Sequence, residues 1–83
     1  MEERLEKARK KIDALDRAVA RLLDRRFALA SGLAPLKKKI RDPRREARVL
    51  FNVSRQARPV FRKAARAVYA EIIKQSRLLQ DRG

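Results

Sequence analysis

The chain has 83 residues, with 24 Lys or Arg against 10 Asp or Glu and a net charge of +14. This is one domain at most, near the size where a single core barely suffices, and its charge calls for an anionic partner. With neither cysteine nor histidine present, disulfides, thiolate chemistry and the commonest general base and metal ligand are excluded, so any catalysis must use Arg, Lys, carboxylates or amides.

The opening MEERLEKARKK lacks the apolar stretch of a signal peptide, and no apolar run is long enough to span a membrane. A cytoplasmic protein with no membrane partner is expected. Two glycines and three prolines punctuate the chain and the β-branched residues do not alternate, so the fold class is all-α, a single domain over 1–83.

From Leu5 the positions Leu5, Ala8, Ile12, Leu15, Val19, Leu22, Arg26, Leu29, Leu33, Leu36 and Ile40 step by alternating fours and threes, and all but Arg26 are apolar. They predict one helix from about Glu2 to Lys39, roughly 55 Å long. A compact domain of this length has a radius of gyration of only about 12 Å. Much of the seam should therefore be buried against the same helix of a second chain, giving a homodimeric bundle. Pro35, after Ser31-Gly32, is expected to bend this helix rather than end it, because the period runs on through Leu36 and Ile40.

Asp42 is placed to cap a second helix whose first position is Pro43, running to about Ala57 with Val49, Leu50, Val53 and Ala57 inward. Pro59 marks a short turn. The stripe Val60, Phe61, Ala64, Val68, Ile72 and Leu79 then predicts a third helix ending near Gln80.

Several polar residues stand out against this frame. Arg26 occupies a seam position, where an unpaired guanidinium would be strongly destabilising. It needs either an acid, with Asp16, Asp24 or a carboxylate of the second chain as candidates, or an anionic ligand. Lys37 lies three turns further on and returns to nearly the same face, about 16 Å away; its plainer reading is a solvated charge within Lys37-Lys38-Lys39. Ser76 and Gln80 share a face of the last helix, as an amphipathic edge would. Asp42 and Glu46 suit the positive end of the second helix, whereas Arg45 does not. Arg9, in Arg9-Lys10-Lys11, carries little signal alone.

As a set, Arg9, Asp16, Arg26, Lys37, Asp42, Arg45, Glu46, Ser76 and Gln80, in a long helix followed by two shorter ones, resemble the AroQ-type (all-α) chorismate mutases. The segments RKKIDALDRAVARLLDRR, RDPRREARVL and IIKQSRLLQ are similar to that family's three helices. The resemblance implies an intertwined dimer that converts chorismate to prephenate, with each site built from one chain plus an arginine of the other. It implies that Arg26 and the partner's Arg9 bind the substrate carboxylates, with Arg45 in the same cationic wall. Lys37 and Gln80 would donate to the ether oxygen, Glu46 with Asp42 nearby would receive the ring hydroxyl, and Ser76 would touch a carboxylate or line the pocket. The spacing agrees: Arg9 and Arg26 lie roughly 25 Å apart along one helix, too far to grip one small molecule together, and an antiparallel partner brings its own Arg9 across. No metal and no cofactor is implied, because the reaction is an intramolecular rearrangement without proton transfer. The place implied is aromatic amino-acid synthesis.

Two other readings stand beside this one. An isochorismate pyruvate lyase of the same fold would use a similar cationic pocket. A basic helical dimer that binds nucleic acid accounts for the net charge but not for Arg26 in a seam, so nucleic acid is not the partner expected.

Overall fold

The structure, a computed structural model, describes residues 2–36 and 41–82. Three helices carry the chain: α1 (Glu2–Ser31), α2 (Pro43–Gln56) and α3 (Arg62–Arg82), with short 3₁₀ turns at Ala34–Leu36 and Pro59–Phe61. No strand occurs among the described residues. The all-α expectation holds.

α1 is made of strong helix formers, and Glu2 and Glu3 in its first turn complement the positive end of the dipole. It closes at Ser31, so the chain breaks where a bend was expected. The cause is steric and local. Pro35 has no N–H to give to the Ser31 carbonyl, and its ring would collide with that carbonyl if the helix continued. The chain tightens instead: the Leu33 N–H donates to the Ala30 carbonyl at 3.1 Å and the Leu36 N–H to the Leu33 carbonyl at 2.9 Å.

α2 begins as its capping chemistry dictates. The Asp42 carboxylate accepts from the Arg45 backbone N–H at 3.1 Å, and Pro43 stands in the first turn. It ends at Gln56, one residue before the expected Ala57, whose N–H donates to the Val53 and Ser54 carbonyls. Val49, Leu50, Val53 and Ala57 are half-buried, as predicted.

α3 packs against both α2 and α1. Its inward face carries Ala65, Tyr69, Ile73, Ser76 and Gln80. That face is turned from the predicted stripe, of which Val60, Phe61 and Val68 are 79%, 54% and 61% exposed. On α1 the face towards α3 is Leu23, Arg26, Phe27 and Ala30, all half-buried or buried.

The long seam of α1 is uncovered. Leu5, Ile12, Leu15, Val19 and Leu22 are between 49% and 64% exposed, and every residue from 2 to 17 is exposed. Among the described residues only Ala30 and Ile73 form a buried apolar core. The radius of gyration is 15.9 Å and the extents are 55 × 26 × 14 Å, well beyond the roughly 12 Å of a compact domain of this length.

Candidate active site

The C-terminal end of α1, the first turn of α2 and the C-terminal half of α3 converge on a cavity of about 250 Å³. Six of the residues singled out in the sequence line it: Arg26, Asp42, Arg45, Glu46, Ser76 and Gln80. They come from three separate segments, and the fold alone brings them together. Ser76 and Gln80 are 5% and 6% exposed, so neither is the amphipathic edge or frayed end that α3 alone would allow.

Arg26 is the centre of the arrangement. Its Nε–H donates to the Tyr69 hydroxyl at 3.1 Å and its NH1 group to Ser76 Oγ at 2.8 Å. The guanidinium carbon stands 5.2 Å from the centroid of the Tyr69 ring, within range of a cation–π attraction. Ser76 in turn donates to the Ile72 carbonyl at 2.8 Å, so its oxygen faces Arg26 as an acceptor. Among the described residues no carboxylate pairs with Arg26; neither Asp16 nor Asp24 does so. The acid considered as its neutraliser is thus not supplied by these residues, and the charge is held by neutral oxygens and a ring.

The two acids on the wall are engaged elsewhere. Asp42 caps α2, and Glu46 Oε1 accepts from Arg77 at 2.6 Å. Arg77 lines the cavity too, and neither it nor Tyr69 was anticipated. A signal for Tyr69 did exist: Tyr69, Ile73, Ser76 and Gln80 step by four, three and four, so Tyr69 belongs to the face that carries Ser76 and Gln80. Arg77 gives no such signal, standing in the sequence as one more charged residue beside a polar one. Leu29, Leu33, Val49 and Ile73 supply apolar wall, two of them from positions expected to meet a second helix.

Arg9 lies far from this cavity on the exposed half of α1, where it pairs with Glu6 at 3.5 Å with both side chains 62% exposed. Such a surface pair is worth little. Lys37 lies outside the described residues. Among the described residues no cluster of acidic or other ligating side chains is arranged for a metal ion.

A cavity of this size, walled by guanidiniums of which two have no acidic partner among the described residues, suits a small anion rather than a polymer. Comparison with known families agrees: the family model for chorismate mutase type II matches residues 8–81. The chain belongs to that family. Members of the family are isomerases that convert chorismate to prephenate, and the match spans nearly the whole chain. No curated protein and no solved structure matches the chain. No helix among the described residues is long and apolar enough to cross a membrane.

Proposed function

We propose that this chorismate mutase works as a homodimer in which the cavity beside Arg26 holds the substrate, with the partner's Arg9 closing it. The observation that carries the reading is the state of Arg26: a permanently charged group, half-buried, held by the oxygens of Tyr69 and Ser76 and by no acid among the described residues. Among the described residues two of its five N–H donors are engaged, which leaves the outer edge of the fork for a carboxylate.

Chorismate is a dicarboxylate. Arg26 takes one carboxylate, with Arg45 beside it on the wall, and the partner's Arg9 takes the other. Glu46, whose Oε1 is committed to Arg77, still has Oε2 to receive the ring hydroxyl, which also fixes which way the ring faces. Gln80, and Lys37 by the family resemblance, donate to the ether oxygen. The rearrangement breaks a C–O bond as it forms a C–C bond, and negative charge grows on that oxygen in the transition state. Donors aimed there lower the barrier, and a wall that selects the folded conformer removes entropy from the step. Together these effects need supply roughly 8 kcal/mol, the low end for enzymes. The missing histidine and cysteine are no handicap, because no proton moves.

The uncovered seam supports the dimer. Leu5, Ile12, Leu15, Val19, Leu22 and Leu29 on α1 are 49–76% exposed; a chain with almost no core of its own among the described residues does not leave such a row to water, and a second α1 laid antiparallel would cover it. We place the enzyme in the cytoplasm, supplying prephenate for phenylalanine and tyrosine synthesis.

The test is chorismate turnover by the purified protein, with the product identified by chromatography as prephenate or, for a lyase, salicylate. Arg26→Ala and Gln80→Ala should each lose on the order of 100-fold or more in kcat/KM, as removal of a transition-state donor does elsewhere. Full rates in both variants would show that the chemistry takes place elsewhere.

A further inference from the structure

Arginine is long and flexible, and Arg26 stands on the wall of an open cavity. A guanidinium that must meet a carboxylate along one edge has to be held at a fixed tilt as well as a fixed position. The bond from NH1 to Ser76 at 2.8 Å fixes one point and leaves the group free to swing about it. A second anchor is needed to set the plane.

We propose that Tyr69 is the positioning residue that sets the plane of Arg26 for catalysis; the inference rests on the reading of Arg26 as the carboxylate-binding group. Its hydroxyl accepts from Nε–H at 3.1 Å while its ring lies 5.2 Å from the guanidinium carbon. One side chain thus constrains the guanidinium through a hydrogen bond and through the face of an aromatic ring. With Nε–H engaged, the donors left over are those of NH1 and NH2, so the carboxylate is met by the outer edge of the fork. Tyr69 is not among the described residues that wall the cavity, whereas Arg26, which it holds, is, so it acts on the substrate through Arg26. It also stands two turns before Ser76 on α3, so both anchors are presented by one rigid element.

The consequence is specific. Binding tolerates a small tilt of Arg26 better than the rearrangement does, because an error of about 1 Å in a positioning group can cost 100-fold in rate. Tyr69→Phe keeps the ring and removes the bond. It should lower kcat about tenfold with a smaller change in KM and an unchanged unfolding midpoint. Tyr69→Leu, which removes the ring as well, should lower kcat towards 100-fold on the same reasoning.

Two further measurements separate positioning from a merely structural role. In an Arg26→Lys background, Tyr69→Phe should cost nothing more, since the partner through which it acts is gone. Tyr69 is the only tyrosine and the chain has no tryptophan, so the tyrosine band of the near-UV circular dichroism reports on this one ring, and Arg26→Lys should shift it. Wild-type kcat and KM in Tyr69→Phe overturn the inference. So does an equal loss with and without Arg26, or a kcat loss matched by a lowered unfolding midpoint. A wild type that leaves chorismate unconverted overturns the reading of the pocket itself, which is a different result from a functioning enzyme indifferent to Tyr69.

Discussion

Arg77, near the end of α3, donates to Glu46 in the first turn of α2 at 2.6 Å, and the two side chains are 27% and 19% exposed. Among the described residues it is the ion pair that ties one helix to another, the other joining Arg9 to Glu6 within α1. A charge-assisted bond with this little exposure is worth about 1–2 kcal/mol. Arg77→Ala should lower the unfolding free energy by about that amount, measured by urea denaturation at one fixed protein concentration. Because Arg77 also holds Glu46 in place, kcat/KM should fall several-fold, about 1 kcal/mol of transition-state stabilisation. In a cycle with Glu46→Gln the two losses should be strongly non-additive. Additive losses would mean that the two residues act apart.

Much of this arrangement was legible, and what was legible was local. Asp42-Pro43 fixed the start of α2, because a cap and an N-terminal proline act over three residues. Arg26 stood out because a charge interrupted an apolar period. The apolar period runs on through Leu36 and Ile40 and so predicts a longer α1, whereas the collision of Pro35 with one carbonyl ends the helix at Ser31. On α3 the apolar stripe and the packed face only partly coincide: Val60, Phe61 and Val68 are exposed while Ile72 and Leu79 are half-buried, and the most buried face is the one with Ile73, Ser76 and Gln80. Tyr69 lies 43 positions from Arg26 and Arg77 31 positions from Glu46. No spacing rule along one helix reaches so far. Lys37 lies outside the described residues, and its part in the site rests on the resemblance.

The exposed seam predicts the assembly state. The protein should sediment at twice its 9.7 kDa chain mass. Leu15, 64% exposed in the single chain, sits in the middle of the seam. Leu15→Glu should dissociate the dimer and, because among the described residues only Ala30 and Ile73 form a buried apolar core, unfold the monomer with it. Sedimentation velocity with far-UV circular dichroism on the same samples is the measurement. A folded, monomeric Leu15→Glu would show that one chain suffices.

Shared sites predict complementation. Arg9→Ala and Arg26→Ala should each be nearly inactive. If every site takes Arg26 from one chain and Arg9 from the other, a mixed dimer has one site with both changes and one with neither. Random re-pairing of equal amounts makes half of the dimers mixed, so about a quarter of wild-type activity should return. Mixing after mild denaturation and refolding, followed by a chorismate assay, tests this. No recovery would place both arginines in the site of one chain.

The break after Ser31 predicts its own reversal. Gly32 has no positive φ, and a Cβ built on it would meet the Leu29 and Ala28 carbonyls at 3.5 and 3.7 Å, ordinary contact distances. Glycine is therefore not what ends α1, and Gly32→Ala should leave the break in place. Pro35→Ala restores an N–H and removes the ring from the path of the Ser31 carbonyl, so α1 should extend by about one turn, read as a gain in ellipticity at the helical band. The gain has a cost at the site. Leu33, held in the turn by its N–H bond to the Ala30 carbonyl, is part of the cavity wall, and extending the helix would turn its side chain to a new direction. KM should then rise several-fold, a loss of about 1 kcal/mol of substrate binding, with kcat less affected because Arg26 and Ser76 stay where they are. An unchanged helical band would mean that contacts beyond Ser31 hold the break without the proline.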